Sequence, residues 1–147
     1  WYICPAPPVA DALYYAGFSS EDAALDMGDS AVLELIGLGG AAAAGSPAVA
    51  AFLGGSMSDA ARATEDMRRI CVQESSRFKL PTTGFRGTPL GVDVRKVVET
   101  GISPKVTTGI LHHSSGAGQI GAGVATAPLE GFGQALVDLV TRGEGVE

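Results

Sequence analysis

The stretch KVTTGILHHSSGAGQIGAGVATA, residues 105–127, carries the clearest signal for the fold. Lys105–Leu111 is rich in β-branched and apolar residues, which is typical of a β-strand. Residues 116–123 are dense in glycine and predict a turn. Residues 124–127 return to small and apolar residues and predict a second strand. The stretch therefore predicts two strands separated by a glycine turn.

The first half of the chain predicts helices instead. Residues 31–44 are small and apolar on most sides, which indicates a buried helix capped by Asp29 or Ser30. A short helix is predicted over residues 46–53. An amphipathic helix follows from residue 56 or 58 to about residue 74, because its apolar residues recur at spacings of three and four.

The remaining segments predict shorter elements. Residues 1–4 and 12–16 are strand candidates, and residues 79–91 predict a strand plus a loop. Asp93 as a cap and Gly101 as a stop favour a short helix between them. A terminal helix runs from Pro128 to Gly143. Helices mainly in the first half, with short strands and a terminal helix in the second, predict an α+β fold.

The bulk composition predicts a single domain over residues 1–147, since 147 residues with 46% hydrophobic content suffice for one core. The formal net charge is −6 and the basic residues are scattered, which argues against nucleic-acid binding. No stretch reaches the roughly 18 apolar residues of a membrane span. Cys4 and Cys71 lie far apart, which is typical of reduced thiols in a cytoplasmic protein. A chain that opens on Trp1 is expected to be a fragment of a longer protein.

Residues 116–121 match the pattern G-x-G-x-x-G, which leaves three interpretations open. A dinucleotide site needs a helix after the glycines, whereas a strand is predicted there. Backbone N–H groups of the turn could instead hold an anion, or the turn could simply connect two strands. Thr108 beside Gly109 pairs a hydroxyl with open backbone, which suits anion binding and turn chemistry almost equally.

Two further groups of residues could carry chemistry. His112 and His113 are adjacent, so in a strand they point to opposite faces and only one can serve a given site. One packed and one solvated histidine is the simpler interpretation. Asp26, Asp29 and Ser30 could bind a cation or orient an amide substrate, or they could form a capping loop. No metal site and no cofactor is expected.

Blocks of this sequence resemble YlbE-like proteins, and they come in the family's order. The blocks are LDMGDSA at 25–31, GLGGA at 37–41, FRGTP at 85–89, GVDVRKVVETGI at 91–102, TGI at 108–110, His112, GQIGAG at 118–123, APL at 127–129 and Phe132. Members of that family are longer, so the resemblance covers only their C-terminal portion. Where the family has a lysine or arginine after its histidine, this chain has His113.

The resemblance implies a component of oxamate carbamoyltransferase in allantoin catabolism. That reaction interconverts oxalurate and phosphate with oxamate and carbamoyl phosphate. The implied partners are an FdrA-like protein, the rest of a full-length chain and a small anionic substrate, in an oligomer. A structural assembly domain and a nucleotide- or acyl-CoA-linked role are the alternatives.

Residue roles follow as hypotheses from the chemistry of carbamoyl transfer. His112 would move a proton and Asp29 would orient an amide N–H. Arg86 or Arg95 would pair with a carboxylate. The glycine turn and Thr108 would hold an anionic group. The expected substrate-binding residues are Asp26, Ser30, Arg86, Arg95, Thr108, Gly109, Gly118, Gln119, Gly121 and Gly123.

Overall fold

Strands and helices alternate irregularly in the computed structural model, which describes residues 1–52 and 55–143. The strands are β1 Val9–Tyr14, β2 Cys71–Leu80, β3 Arg86–Val92, β4 Lys105–Leu111 and β5 Gln119–Thr126. The α-helices are α1 Pro47–Phe52, α2 Met57–Ile70, α3 Val94–Thr100 and α4 Leu129–Gly143. Helices together with antiparallel sheets confirm the α+β prediction.

The strand–turn–strand stretch forms the main sheet. Its order is β1-β5-β4, and both pairings are antiparallel. The predicted turn was too long, because β5 already begins at Gln119. Gly121 and Gly123 lie inside β5, where an added Cβ would come within 2.6 Å of the Leu13 carbonyl and 2.3 Å of the Asp11 carbonyl. These glycines therefore allow close approach of β1 rather than a turn.

The predicted helix over residues 31–44 is wrong. The segment forms three 3-10 pieces, Asp29–Val32, Glu34–Ile36 and Gly39–Gly45. Gly37 and Gly39 adopt φ angles of 79° and 61°, which interrupt a right-handed helix. At Gly40, an added Cβ would lie 2.1 Å from the Lys105 carbonyl. The backbone of the segment at Gly40 therefore packs directly against the backbone of β4.

The amphipathic helix is confirmed at its start and corrected at its end. Ser56 caps α2 by accepting a hydrogen bond from the Asp59 N–H. The helix stops at Ile70, and Cys71 already pairs with Val92 in the hairpin of β2 and β3. Pairing with β3 therefore overrides the helical spacing after residue 70.

The other segments are confirmed in part. Residues 1–4 form no strand, and β1 ends at Tyr14 rather than at residue 16. The short helix α1 is confirmed as far as Phe52, and residue 53 lies outside the described part. Helix α3 has the predicted cap at Asp93 and stop at Gly101, where φ is 67°. None of the helices in the described ranges is long and apolar enough to cross a membrane.

Two buried clusters position the site. Val9, Ile110, Ile120 and Ala125 form the core under the three-stranded sheet. Ala41, Met67, Ile70 and Val97 join the 3-10 segment to α2 and α3. The 3-10 segment is therefore held from both sides, and its first turn lies against the edge of β4.

Candidate functional site

Four of the predicted substrate-binding residues line one cleft. Asp26, Ser30, Gly109 and Gln119 surround a space of about 240 Å³ between the loop before the 3-10 segment and the ends of β4 and β5. Met27 and Leu111 add apolar wall. We call this space the Asp26 cleft. The fold thus brings together residues that are up to 93 positions apart in the chain, from Asp26 to Gln119.

Asp26 is the acidic group of the cleft, and it is only 7% exposed. Its Oδ2 accepts a hydrogen bond from the Gly28 N–H at 3.0 Å, and its own N–H donates to the Pro7 carbonyl at 2.9 Å. Oδ1 is buried and has no hydrogen-bond partner among the described residues. Such an unpaired oxygen costs about 1–3 kcal/mol, so a donor supplied by a ligand would relieve it.

Asp26 also lines a second, mainly apolar cleft. This neighbouring space has a volume of about 250 Å³ and includes Cys4, Ala31 and Pro128. Asp26 therefore lies in the wall that both clefts share. The predicted cap at Asp29 or Ser30 is wrong, because Gly28 occupies the N-cap position of Asp29–Val32 and receives no side-chain cap. The Asp26 carboxylate instead accepts the Gly28 N–H in the turn before this segment.

Ser30 and Thr108 form a hydrogen-bond relay. The Ser30 hydroxyl donates to the Thr108 hydroxyl oxygen at 3.3 Å. The Thr108 hydroxyl in turn donates to the Gly109 carbonyl at 3.2 Å, and its side chain is buried. Both hydroxyl protons are committed to this relay, so Ser30 keeps only lone pairs for a ligand.

Gln119 closes the cleft over Gly109. Its amide nitrogen donates to the Tyr15 hydroxyl at 3.1 Å and to the Gly121 carbonyl at 3.0 Å. A Cβ at position 109 would lie 3.2 Å from its amide oxygen. Gly109 therefore makes room for the amide group, and the amide oxygen is left as the free polar atom.

His112 lies at the end of β4, outside the set of described residues that line the Asp26 cleft. Its Nδ1 accepts the N–H groups of Ser114 and Ser115 at 3.1 and 3.0 Å. Its Nε2 lies 3.9 Å from the Asp22 carboxylate. His112 is partly buried and His113 is exposed, as the simpler interpretation of the pair predicted. The catalytic role of His112 stays a prediction, and Nε2 is the nitrogen that could serve it.

Arg86 and Arg95 are each bound to a carboxylate away from the cleft. Arg86 on β3 contacts Glu74 at 2.5 Å, which lowers the pKa of that carboxyl. Arg95 contacts Asp93 at 2.7 Å and, as the main cause, lowers the pKa of the Asp93 carboxyl to about 2. Substrate binding by either arginine stays a prediction that would require it to leave this partner.

The other predicted residues have mixed positions. The side chain of Asp29 lies outside the described part of the structure. Gly118 is in the turn, with φ of 75°, and its carbonyl accepts the His112 N–H at 3.1 Å. Gly121 and Gly123 belong to the central strand, which exchanges hydrogen bonds with both neighbours. Their backbone is therefore poorly placed to hold an anion.

The sequence analysis did not identify Glu34, which has a structural role in the fold. The side chain is 4% exposed. Its Oε1 accepts the N–H groups of Gly40 and Thr107 at 2.8 and 3.1 Å, and burial raises the pKa of the carboxyl. A lone acidic residue within an apolar, glycine-rich segment was the available signal.

Comparisons with known proteins point to one group of relatives. No family model matches the chain. It is 46% identical, over 92% of its length, to the oxamate carbamoyltransferase subunit AllG of Escherichia coli, and 38% identical, over 97%, to the uncharacterised protein YahG of the same organism. It covers 32% and 30% of these proteins, so it spans about a third of the length of each. These identities support a family relationship.

A solved structure shares the fold. A conserved protein of unknown function from Enterococcus faecalis is 41% identical and superposes with a TM-score of 0.89. The match covers 96% of this chain and 33% of that one. The architecture described above therefore recurs as one part of a longer protein.

Proposed function

We propose that this chain is part of a carbamoyltransferase component that acts on oxamate or oxalurate and carbamoyl phosphate in allantoin catabolism, in the cytoplasm. The observation that carries the proposal is the 46% identity to a third of AllG, a subunit of oxamate carbamoyltransferase. The partners in this proposal are an FdrA-like protein and the rest of a full-length chain of the YlbE-like family, whose C-terminal portion this chain represents.

The reaction sets requirements that the chain meets in part. Carbamoyl transfer needs groups that hold the amide end of the substrate, and others that stabilise the oxyanion and the phosphate. The Asp26 cleft offers oxygen acceptors suited to amide N–H groups. Phosphate would then be bound by Arg86 after its release from Glu74, or by Arg95 after its release from Asp93. The alternative is that the remaining two thirds of the full-length protein bind the phosphate.

His112 and Asp29 complete the proposed catalytic set. His112 would transfer a proton through Nε2, since Nδ1 already accepts two backbone N–H groups. Asp29 would orient an amide N–H beside Asp26. Replacement of His112 by alanine in the full-length complex is expected to lower kcat, and unchanged turnover would contradict this role.

The test is a carbamoyltransferase assay on the full-length protein, co-expressed with its FdrA-like partner, with carbamoyl phosphate and oxamate as substrates. Oxalurate formation that depends on this protein supports the proposal. A matched preparation that carries only the FdrA-like partner is the control. A stable complex without oxalurate formation would contradict the enzymatic proposal.

An assembly role is the second candidate, and the exposed apolar side chains of residues 25–36 favour it. Met27, Leu35 and Val32 are 70%, 68% and 61% exposed. Leu25, Leu33 and Ile36 are exposed as well. So many exposed apolar side chains in one segment are typical of a surface that a partner covers.

A pair of variants separates the two functions. Leu35→Ser should weaken the complex with the FdrA-like protein, or the oligomer, if this segment is an interface. Val137→Ser on α4 removes a similarly exposed apolar side chain, 65% exposed, and serves as the control. Equal assembly of both variants, measured by light scattering after size-exclusion chromatography, would contradict the assembly role.

A further inference from the structure

The polar side chains that line the Asp26 cleft present hydrogen-bond acceptors to a ligand. Asp26 contributes its carboxylate: Oδ1 is buried and lacks a donor among the described residues, so a rotation of the side chain is needed to bring it to a ligand in the cleft. Ser30 contributes lone pairs, because its proton goes to Thr108. Gln119 contributes its amide oxygen, because its amide nitrogen already donates to Tyr15 and Gly121. Three side chains, two from the loop at residues 26–30 and one from the start of β5, thus all present acceptors.

The charge of the cleft agrees with this polarity. Asp26 is acidic, and in the part of the chain that the structure describes no lysine, arginine or histidine lines this cleft. A carboxylate or phosphate placed here would face a buried carboxylate with no compensating cation, which is unfavourable. The cleft therefore rejects the anionic end of a substrate.

We infer that the Asp26 cleft binds the ureido or carbamoyl end of a ligand, with Asp26, Ser30 and Gln119 accepting its N–H groups. A ureido group carries up to three N–H donors on a planar frame, which matches three acceptors around a space of about 240 Å³. The choice of a ureido group over other N–H donors rests on the proposed carbamoyltransferase function. The polarity of the cleft does not depend on that function.

This assignment changes the predicted division of roles. The substrate was expected to be held here as an anion by Thr108 and glycine backbone. Thr108 instead positions Ser30 by accepting its hydroxyl proton, and the anionic end of the substrate leaves the cleft toward other groups. Thr108 is therefore a positioning residue.

The experiment is an NMR titration of the ¹⁵N-labelled 147-residue chain with N-methylurea, methylammonium and oxalate in parallel. The reporters are the backbone amides of Gly28 and Gly109 and the side-chain amide of Gln119. N-methylurea should give saturable shifts at all three. Oxalate should leave them unchanged.

Asp26→Asn is the diagnostic variant, and Asp66→Asn is its matched control on the exposed face of α2. The asparagine side chain can still accept the Gly28 N–H, but it replaces one acceptor oxygen with a donor. Affinity for N-methylurea should fall about tenfold or more, as expected for losing a charged acceptor, whereas the control should bind normally. If Asp26→Asn fails to fold by circular dichroism, Ser30→Ala provides the second test and should weaken binding several-fold.

Three results would overturn the inference. They are the absence of saturable shifts with N-methylurea, equal affinity of both variants, and tighter binding of oxalate or methylammonium at the same reporters. This test is separate from the transfer assay. Binding of N-methylurea without any oxalurate formation by the full-length complex would sink the proposed function and leave the cleft assignment standing.

Discussion

Replacement of the buried Glu34 should loosen the 3-10 segment from β4. In Glu34→Ala, the N–H groups of Gly40 and Thr107 lose the oxygen that accepts both of them at 2.8 and 3.1 Å. Each buried N–H without a partner costs about 1–3 kcal/mol. Removing a carboxylate whose Oε2 is buried and lacks a partner among the described residues offsets part of that cost. We therefore expect the free energy of unfolding to fall by about 2–4 kcal/mol.

The pH dependence of stability provides a second readout for Glu34. Burial raises the pKa of its carboxyl, so the folded state holds the proton more tightly than the unfolded state does. The stabilisation that comes from the tighter proton binding of Glu34 is therefore fully present at pH below the ordinary glutamate pKa. It is lost as pH rises through the raised pKa of the folded state. Glu34→Gln keeps an acceptor oxygen but cannot ionise, so this part of the pH dependence should disappear.

Urea unfolding followed by circular dichroism, at a series of pH values from acid to neutral, measures both effects. Glu99→Gln on α3 is the control, because Glu99 is exposed. A decrease in the free energy of unfolding of less than about 1 kcal/mol in Glu34→Ala would refute the role of Glu34 as acceptor for Gly40 and Thr107, since it is less than the cost of one unpaired N–H. An unchanged pH dependence in Glu34→Gln would refute the titration argument.

Three further predictions follow from single positions. Gly40→Ala should lower Tm strongly, because its Cβ would lie 2.1 Å from the Lys105 carbonyl, whereas Gly116→Ala should change Tm little, because nothing lies within 4 Å of its Cβ. Asp93→Ala should weaken the cap of α3 and lower stability near neutral pH in urea unfolding; that difference should vanish as pH falls toward the lowered pKa of about 2. A thiol reagent followed by mass spectrometry should modify Cys4 before Cys71, because Cys71 is buried and burial raises the pKa of its thiol to about 11.

Local sequence patterns predicted the structure correctly where residues close together in the sequence determine it. The cap at Asp93 and the stop at Gly101 bound α3 as predicted, because both act within one helical turn. Lys105–Leu111 is a strand over its predicted bounds, since Val106, Thr108 and Ile110 alternate along it and are buried on one face of the sheet. Asp26, Ser30, Gly109 and Gln119 were four of the ten substrate-binding residues expected from the chemistry of carbamoyl transfer, and the fold brings these four to one cleft.

The sequence by itself determined the α+β class, most helix and strand positions, and the residue types suited to a polar site. Only the tertiary structure decided that residues 31–44 form 3-10 pieces, because the contact of Gly40 with β4 involves a strand 65 positions away. Only the tertiary structure also decided the polarity of the Asp26 cleft. Which hydrogen-bond donors remain free for a ligand depends on their partners in the fold. The Ser30 hydroxyl donates to Thr108, 78 positions away, and the Gln119 amide donates to Tyr15, 104 positions away. A pattern within a short window cannot contain such a pairing, so it shows which groups are present but not which protons remain free.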